Sequence, residues 1–143
     1  MGKILIVDDD KAFSQFLKRY INQHYPVLKV QICTSPVRAL PIISEGDVDL
    51  LLVDYEMPVL DGDKVVKYAC EVGMDKSRII VLSSRDADFL HEHFPMGTCL
   101  AVMNKYEARQ KAVLDMVFSS LERKASVRRE NVEDSAGTKG GPA

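Results

Sequence analysis

The sequence predicts an α/β domain built as a doubly wound (βα)5 parallel sheet, and two observations carry the prediction. Five short apolar runs recur, KILIVD (3–8), LKVQIC (28–33), DLLLVD (49–54), RIIVLS (78–83) and CLAVM (99–103), each followed by a segment with helical periodicity. The first, third and fourth runs are apolar without alternation, as parallel strands are when helices cover both faces. Strict alternation with right-handed crossovers follows. In such sheets ligands collect at the carboxyl ends of the strands, where the chain reverses its direction across the sheet.

The helical segments follow in order. Phe13, Phe16, Leu17, Tyr20 and His24 are spaced i, i+3, i+4, i+7 and i+11, so the first helix lays one stripe on a core. Asp10 reads as its cap. The second opens at Ser35-Pro36, a capping residue with proline at the first helical position, and Pro41 should kink or shorten it. The third is expected near 62–72, the fourth near 86–94 and the fifth over 106–124. In the last, Val113, Met116, Val117, Ser120 and Leu121 form the expected core stripe. Leu114 and Phe118 lie around from its centre, at roughly 100° per residue, and are expected at a partner or dimer surface on the fourth and fifth helices.

A chain of 143 residues fits one domain with a substantial core. The composition turns charged, then small and glycine-rich, past Lys124, so 1–124 is expected to be the domain and 125–143 a flexible tail or linker. A net charge of −2, from 19 basic and 21 acidic residues, makes no electrostatic case for nucleic acid or an anionic membrane. The RRE run near 128 reads as solvated charge. No apolar run reaches membrane-span length and the N-terminus turns acidic too soon for a signal peptide, so a cytoplasmic protein is expected. Cys33, Cys70 and Cys99 are odd in number and form no C-x-x-C pair, as reduced core cysteines would be. His91 and His93, two apart on a helix, point to different faces and do not suit chelation. Nucleotide-binding glycine motifs are missing.

The strand ends carry the chemistry. The first strand ends in Asp8, Asp9 and Asp10, the third in Asp54, the fourth in Ser83 and Ser84, and the fifth runs into Asn104 and Lys105. Taken alone, Asp54 before Met57-Pro58 and Asp61-Gly62 reads as a turn residue. Together these residues place carboxylates, a hydroxyl and an ammonium on one rim. Crowded carboxylates disfavour their own ionisation, and oxygen ligands without His or Cys suit Mg2+, which keeps waters and phosphate oxygens in its shell. Phosphoryl chemistry follows, with Asp54 as the attacking carboxylate and Lys105 and Ser83 facing the phosphoryl oxygens.

These residues resemble the receiver domain of two-component response regulators over roughly residues 2 to 124. ILIVDDD is similar to the family's acidic pair, LLVDYEMPVLDG to its phosphoacceptor segment, Ser83 in VLSS to its hydroxyl position and Lys105 to its lysine. The resemblance implies the flavodoxin-like, CheY-like strand order 2-1-3-4-5. It implies that Asp54 accepts a phosphoryl group from a sensor histidine kinase or a histidine phosphotransfer protein. Asp9, Asp54 and the backbone carbonyl of Glu56 would hold Mg2+ directly, and Asp8 through water. The product would act on a downstream protein or on an output domain of a longer chain, and the domain would be no enzyme towards outside substrates.

Three features depart from the family pattern. Tyr106 follows the lysine where proline is common, Val102 stands where many members carry an aromatic switch residue, and HEHFPMGTC replaces the usual glycine-alanine turn. Coupled swinging of Ser83 with an aromatic ring is therefore not available in its common form, and the switch is expected to involve Ser84, Val102 and Tyr106. A pair between Glu56 and Arg85, each two residues past a site residue, is expected to cover the phosphoryl group and lengthen its life. The alternative is a non-switching pseudo-receiver that serves as a constitutive docking domain.

Overall fold

The computed structural model describes residues 2–94, 97 and 99–140; the side chains of 87, 109, 110 and 127–140 lie outside what it describes. So do parts of the HEHFPMGTC segment and the RRE run.

Five parallel strands, β1 (Lys3–Val7), β2 (Lys29–Cys33), β3 (Leu50–Asp54), β4 (Ile79–Ser83) and β5 (Ala101–Asn104), form one sheet in the order β2-β1-β3-β4-β5. The chain starts in the middle, moves to one edge, returns past β1 and ends at the other. The reversal falls between β1 and β3, whose carboxyl ends carry Asp8 and Asp54. The helices are α1 (Lys11–His24), α2 (Pro36–Ser44), α3 (Gly62–Glu71), α4 (Ala87–His93), α5 (Lys105–Gln110) and α6 (Ala112–Gly140).

The lack of alternation in the central strands has its reason in two cores. Ile4, Ile6, Leu50, Leu52, Ile80 and Leu82 pack on one face with Phe13 and Leu17 of α1 and Leu114 and Phe118 of α6. Leu5, Val7, Leu51, Val53, Ile79 and Val81 pack on the other with Ala39 and Ile43 of α2 and Val65, Val66 and Ala69 of α3. Successive residues point to opposite faces, and both faces are dry. β2 lies at an edge and its burial alternates accordingly.

Local signals act as expected. The Asp10 carboxylate accepts the Phe13 N–H at 3.1 Å, and Ser35 caps α2 by accepting from Arg38 at 3.4 Å. Pro41 lies inside α2, which ends three residues later at Ser44.

The last helix needs two corrections. The segment expected as one helix over 106–124 breaks at Lys111, which adopts the left-handed conformation with φ 71°. Its ammonium lies over the rings of Tyr20 (4.5 Å) and Phe16 (5.5 Å), which holds the break against α1. α6 is then turned so that Leu114, Phe118 and Ala125 enter the core, while Val113 and Met116, expected inside, are exposed. Leu114 (1% exposed) and Phe118 (0%) therefore form no partner surface. Phe118 meets the Tyr25 ring edge-on at 5.6 Å, and Asp115 accepts hydrogen bonds from Tyr20 (2.5 Å) and Tyr25 (2.8 Å). The Asp115 bond is the main cause that pushes the Tyr20 pKa up to about 12. The helix also continues to Gly140, through the segment whose composition reads as a tail.

Candidate functional site

Asp8 follows the end of β1, with its N–H donating to Cys33 O of β2 at 3.1 Å. It is 1% exposed, and its Oδ1 accepts the Asp10 N–H at 2.9 Å, a turn that leaves Asp9 projecting into solvent. Asp54 ends β3, 2% exposed, held by the register that pairs it with Leu82 of β4. Ser83 ends β4, fully buried. Lys105 follows β5 and starts α5, whose first turn is capped by Asn104 accepting from Glu107 at 2.8 Å.

The Lys105 ammonium draws the ends of β1 and β3 together. It lies 2.9 Å from Asp8 Oδ2, 3.6 Å from Asp54 Oδ1 and 3.9 Å from Asp10 Oδ2, with the Phe13 ring beneath it at 4.9 Å. Burial works to lower its pKa, but the hydrogen bond and charge of Asp8, with the charges of Asp54 and Asp10, outweigh it and hold the pKa above the ordinary value. For Asp54 the balance runs the other way. Burial, then the neighbouring Asp8 charge, push its pKa up to about 8 despite Lys105.

Carboxylate oxygens of Asp8, Asp9 and Asp54 lie within 4.8 Å of one another. The buried Asp8 Oδ2 accepts no well-formed hydrogen bond although Lys105 is near it. One lysine among these carboxylates leaves the rim short of positive charge, and the all-oxygen donor set fits Mg2+. The site is thus a cluster built by strand ends rather than a deep cavity. A cavity of about 570 Å³, lined by Leu50, Leu100, Met116 and Leu121 among others, opens at the opposite, amino-terminal edge of the sheet.

Gly62 explains the Asp61-Gly62 step. A Cβ there would come within 2.4 Å of Asp54 O and 2.7 Å of Tyr55 Cα, so only glycine lets the start of α3 close on the end of β3. The Gly62 N–H donates to Tyr55 O at 2.9 Å.

Around Ser83 the expected arrangement differs. The Ser83 hydroxyl donates to Glu56 Oε1 and accepts the Arg85 N–H at 2.9 Å, and the Ser84 N–H reaches Glu56 Oε2 at 3.3 Å. Glu56 and Arg85 form no ion pair among the described residues. The Arg85 guanidinium instead lies over the Phe89 ring, 3.8 Å from its centre. A hydroxyl and an aromatic face nearby satisfy the two groups separately, so the expected cover over the site is not formed. Val102 is half-buried against the α2/α3 core and Tyr106 is exposed, with no cis peptide bond among the described residues. Tyr55, next to Asp54, packs edge-on against Phe89 (5.6 Å) and Phe94 (5.4 Å), contacts of α4 that the sequence reading did not anticipate. An aromatic directly after Asp54 was the signal for it. His93 stacks on Phe89 at 3.9 Å.

These features define a doubly wound α/β domain with a carboxylate-rich site, joined by one lysine, at the carboxyl ends of its strands. The family model for the response regulator receiver domain matches residues 4–116. The chain belongs to the response regulator receiver domain family. The response regulator MprA of Mycobacterium avium is 31% identical over 137 residues, which cover 83% of this chain and 59% of that protein. The chain thus spans little more than half the length of the curated relatives it matches. The receiver domain of Francisella response regulator 1452 superposes with a TM-score of 0.69 at 21% identity, covering 87% of this chain and 98% of that one. The signal receiver domain of NarL from Mycobacterium tuberculosis gives 0.63 at 23% identity over 80% and 94%. Among the described residues no helix is long and apolar enough to cross a membrane.

Proposed function

We propose that this receiver domain switches by phosphorylation of Asp54, with a sensor histidine kinase or a histidine phosphotransfer protein as donor. The observation that supports this most is the convergence of Lys105 on Asp8 and Asp54 at the point where the sheet reverses. In the transfer an Asp54 oxygen forms the new bond to phosphorus while the bond to the donor's imidazole nitrogen breaks, and the electron pair leaves with the imidazole. Lys105 neutralises charge on the phosphoryl oxygens, and Ser83 donates to one of them. Asp9, Asp54 and the Glu56 carbonyl would hold Mg2+, with Asp8 acting through water; the bound ion would supply positive charge against the phosphoryl oxygens.

The energetics suit a switch. Moving a two-state element from 1:99 to 99:1 takes about 5.5 kcal/mol. Two charge-assisted hydrogen bonds to the phosphoryl oxygens, from Ser83 and Lys105, are worth roughly 3–6 kcal/mol in gross terms, from which the Ser83–Glu56 bond they replace is subtracted. The domain catalyses only its own phosphoryl transfer and dephosphorylation, in the cytoplasm. Residues 1–124 are the receiver proper and 125–143 a tail or linker. The recipient of the signal is a downstream protein or an output domain of a longer regulator, not nucleic acid or a membrane directly. Exposed Tyr106, Val113 and Met116 replace Leu114 and Phe118 as the surface on which that partner, or a second copy, docks.

Val102 in place of an aromatic favours a second reading, a docking domain that does not switch. Incubation with Mg2+ and acetyl phosphate, followed by intact mass measurement beside Asp54→Asn, separates the two. One phosphoryl adduct that requires both Mg2+ and Asp54 is the expected result. No adduct, together with no binding of beryllofluoride, selects the docking domain.

A further inference from the structure

The Ser83 hydroxyl has one proton, and Glu56 holds it. The second Glu56 oxygen takes the Ser84 N–H, so a single carboxylate, two residues past the phosphoacceptor, grips two consecutive residues of the loop from β4 to α4. Ser83 Oγ in turn accepts the Arg85 N–H, and Asp86 caps α4 by accepting from Phe89 at 2.9 Å. Arg85 covers Phe89, which packs on His93 and Tyr55. The grip on Ser83 and Ser84 is thereby continuous with the aromatic packing of α4.

We propose that Glu56 is a positioning residue that locks the unmodified state: it withholds the Ser83 hydroxyl from the phosphoacceptor site, and phosphorylation acts by breaking the Glu56–Ser83–Ser84 clamp. The proposal rests on the phosphoacceptor reading of Asp54 and deepens it. A hydroxyl donates one hydrogen bond at a time, so Ser83 cannot serve Glu56 and a phosphoryl oxygen together. A phosphoryl group on Asp54 brings further negative charge towards the Glu56 carboxylate and competes for that proton. Once Ser83 turns, Glu56 loses the anchor that also held Ser84, and the loop that carries Arg85 and the cap of α4 is released. The movement reaches α4 through Arg85, Phe89 and Tyr55. An aromatic at the Val102 position is not needed. The clamp also makes Glu56 a brake on phosphorylation itself.

The test is the rate of phosphorylation by acetyl phosphate with Mg2+, read by intact mass in wild type, Glu56→Ala, Glu56→Gln, Ser83→Ala and the Glu56→Ala/Ser83→Ala double variant. Glu56→Ala is expected to react about tenfold faster. The gain disappears in the Ser83→Ala background. Glu56→Gln, which keeps an acceptor for the hydroxyl without the charge, falls between wild type and Glu56→Ala. A gain that persists without Ser83 shows simple repulsion of the anionic donor and overturns the clamp, as does no gain at all. A second measurement needs no phosphate: amide hydrogen exchange at Ser84 in the unmodified protein. Glu56→Ala should speed it several-fold. Unchanged exchange overturns the clamp whether or not Asp54 takes a phosphoryl group, whereas accelerated exchange with no adduct in any variant upholds the clamp and removes the phosphoacceptor reading instead.

Discussion

Lys105 stands 2.9 Å from Asp8, joining the first and last strands of the sheet through a pair of which the carboxylate is almost wholly buried. Removing one partner of such a pair leaves an uncompensated charge, which costs about 3–5 kcal/mol. Lys105→Met should therefore lower the unfolding free energy of the metal-free protein by about that amount, and Mg2+ should restore part of it. Urea titrations with and without Mg2+ measure both effects.

The pH dependence has a defined sign. Asp54 keeps its proton in the folded chain up to about pH 8, whereas the unfolded carboxyl loses it near 3.8. The folded state binds the extra proton between these values, so its contribution is fully present below pH 3.8 and is lost as pH rises towards 8. Mg2+ competes with that proton. Its stabilisation should be small at pH 5 and larger at pH 8, approaching about 2.7 kcal/mol when free Mg2+ is a hundredfold above its Kd. Thermal melts at the two pH values check this, and Asp54→Asn should abolish the difference.

Gly62→Ala places a methyl group against Asp54 O and Tyr55 Cα, backbone atoms that cannot rotate aside. We expect a loss of about 1–3 kcal/mol, as in other overpacked sites. The displaced β3 end should also slow phosphorylation by acetyl phosphate more than tenfold at a temperature where the variant is folded. A variant with wild-type stability and rate would contradict the close approach.

Two neighbours on α6 should behave oppositely. Phe118 is sealed in the core against Tyr25, and Phe118→Ala should cost about 3–5 kcal/mol. Met116 is 74% exposed, and Met116→Lys should change stability by no more than about 0.5 kcal/mol. If that helix face meets a partner, Met116→Lys weakens association while the fold stays intact. Denaturation midpoints and sedimentation of the two variants measure each effect.

The sequence by itself determined the five strands, the two-sided burial of the sheet and the residues at its rim. Their signals are local: unbroken apolar runs in Leu50–Asp54 and Ile79–Ser83, a capping side chain at Asp10 and at Ser35, and acids directly after β1 and at the end of β3. Tertiary structure decided what depends on rotation and reach. The periodicity of α6 suits two overlapping stripes that share Val117 and Leu121, and the choice of the one containing Leu114 and Phe118 was made by Tyr20 and Tyr25 of the α1 region. The left-handed break at Lys111 has no turn residue to announce it, because rings on another helix hold it. Likewise Glu56 and Arg85 carry opposite charges and near-equivalent positions, yet each has a nearer partner in Ser83 or Phe89. Opposite charge favours a pair only weakly at a surface, whereas a buried hydroxyl must be satisfied, and that requirement is met only once β3 and β4 lie side by side.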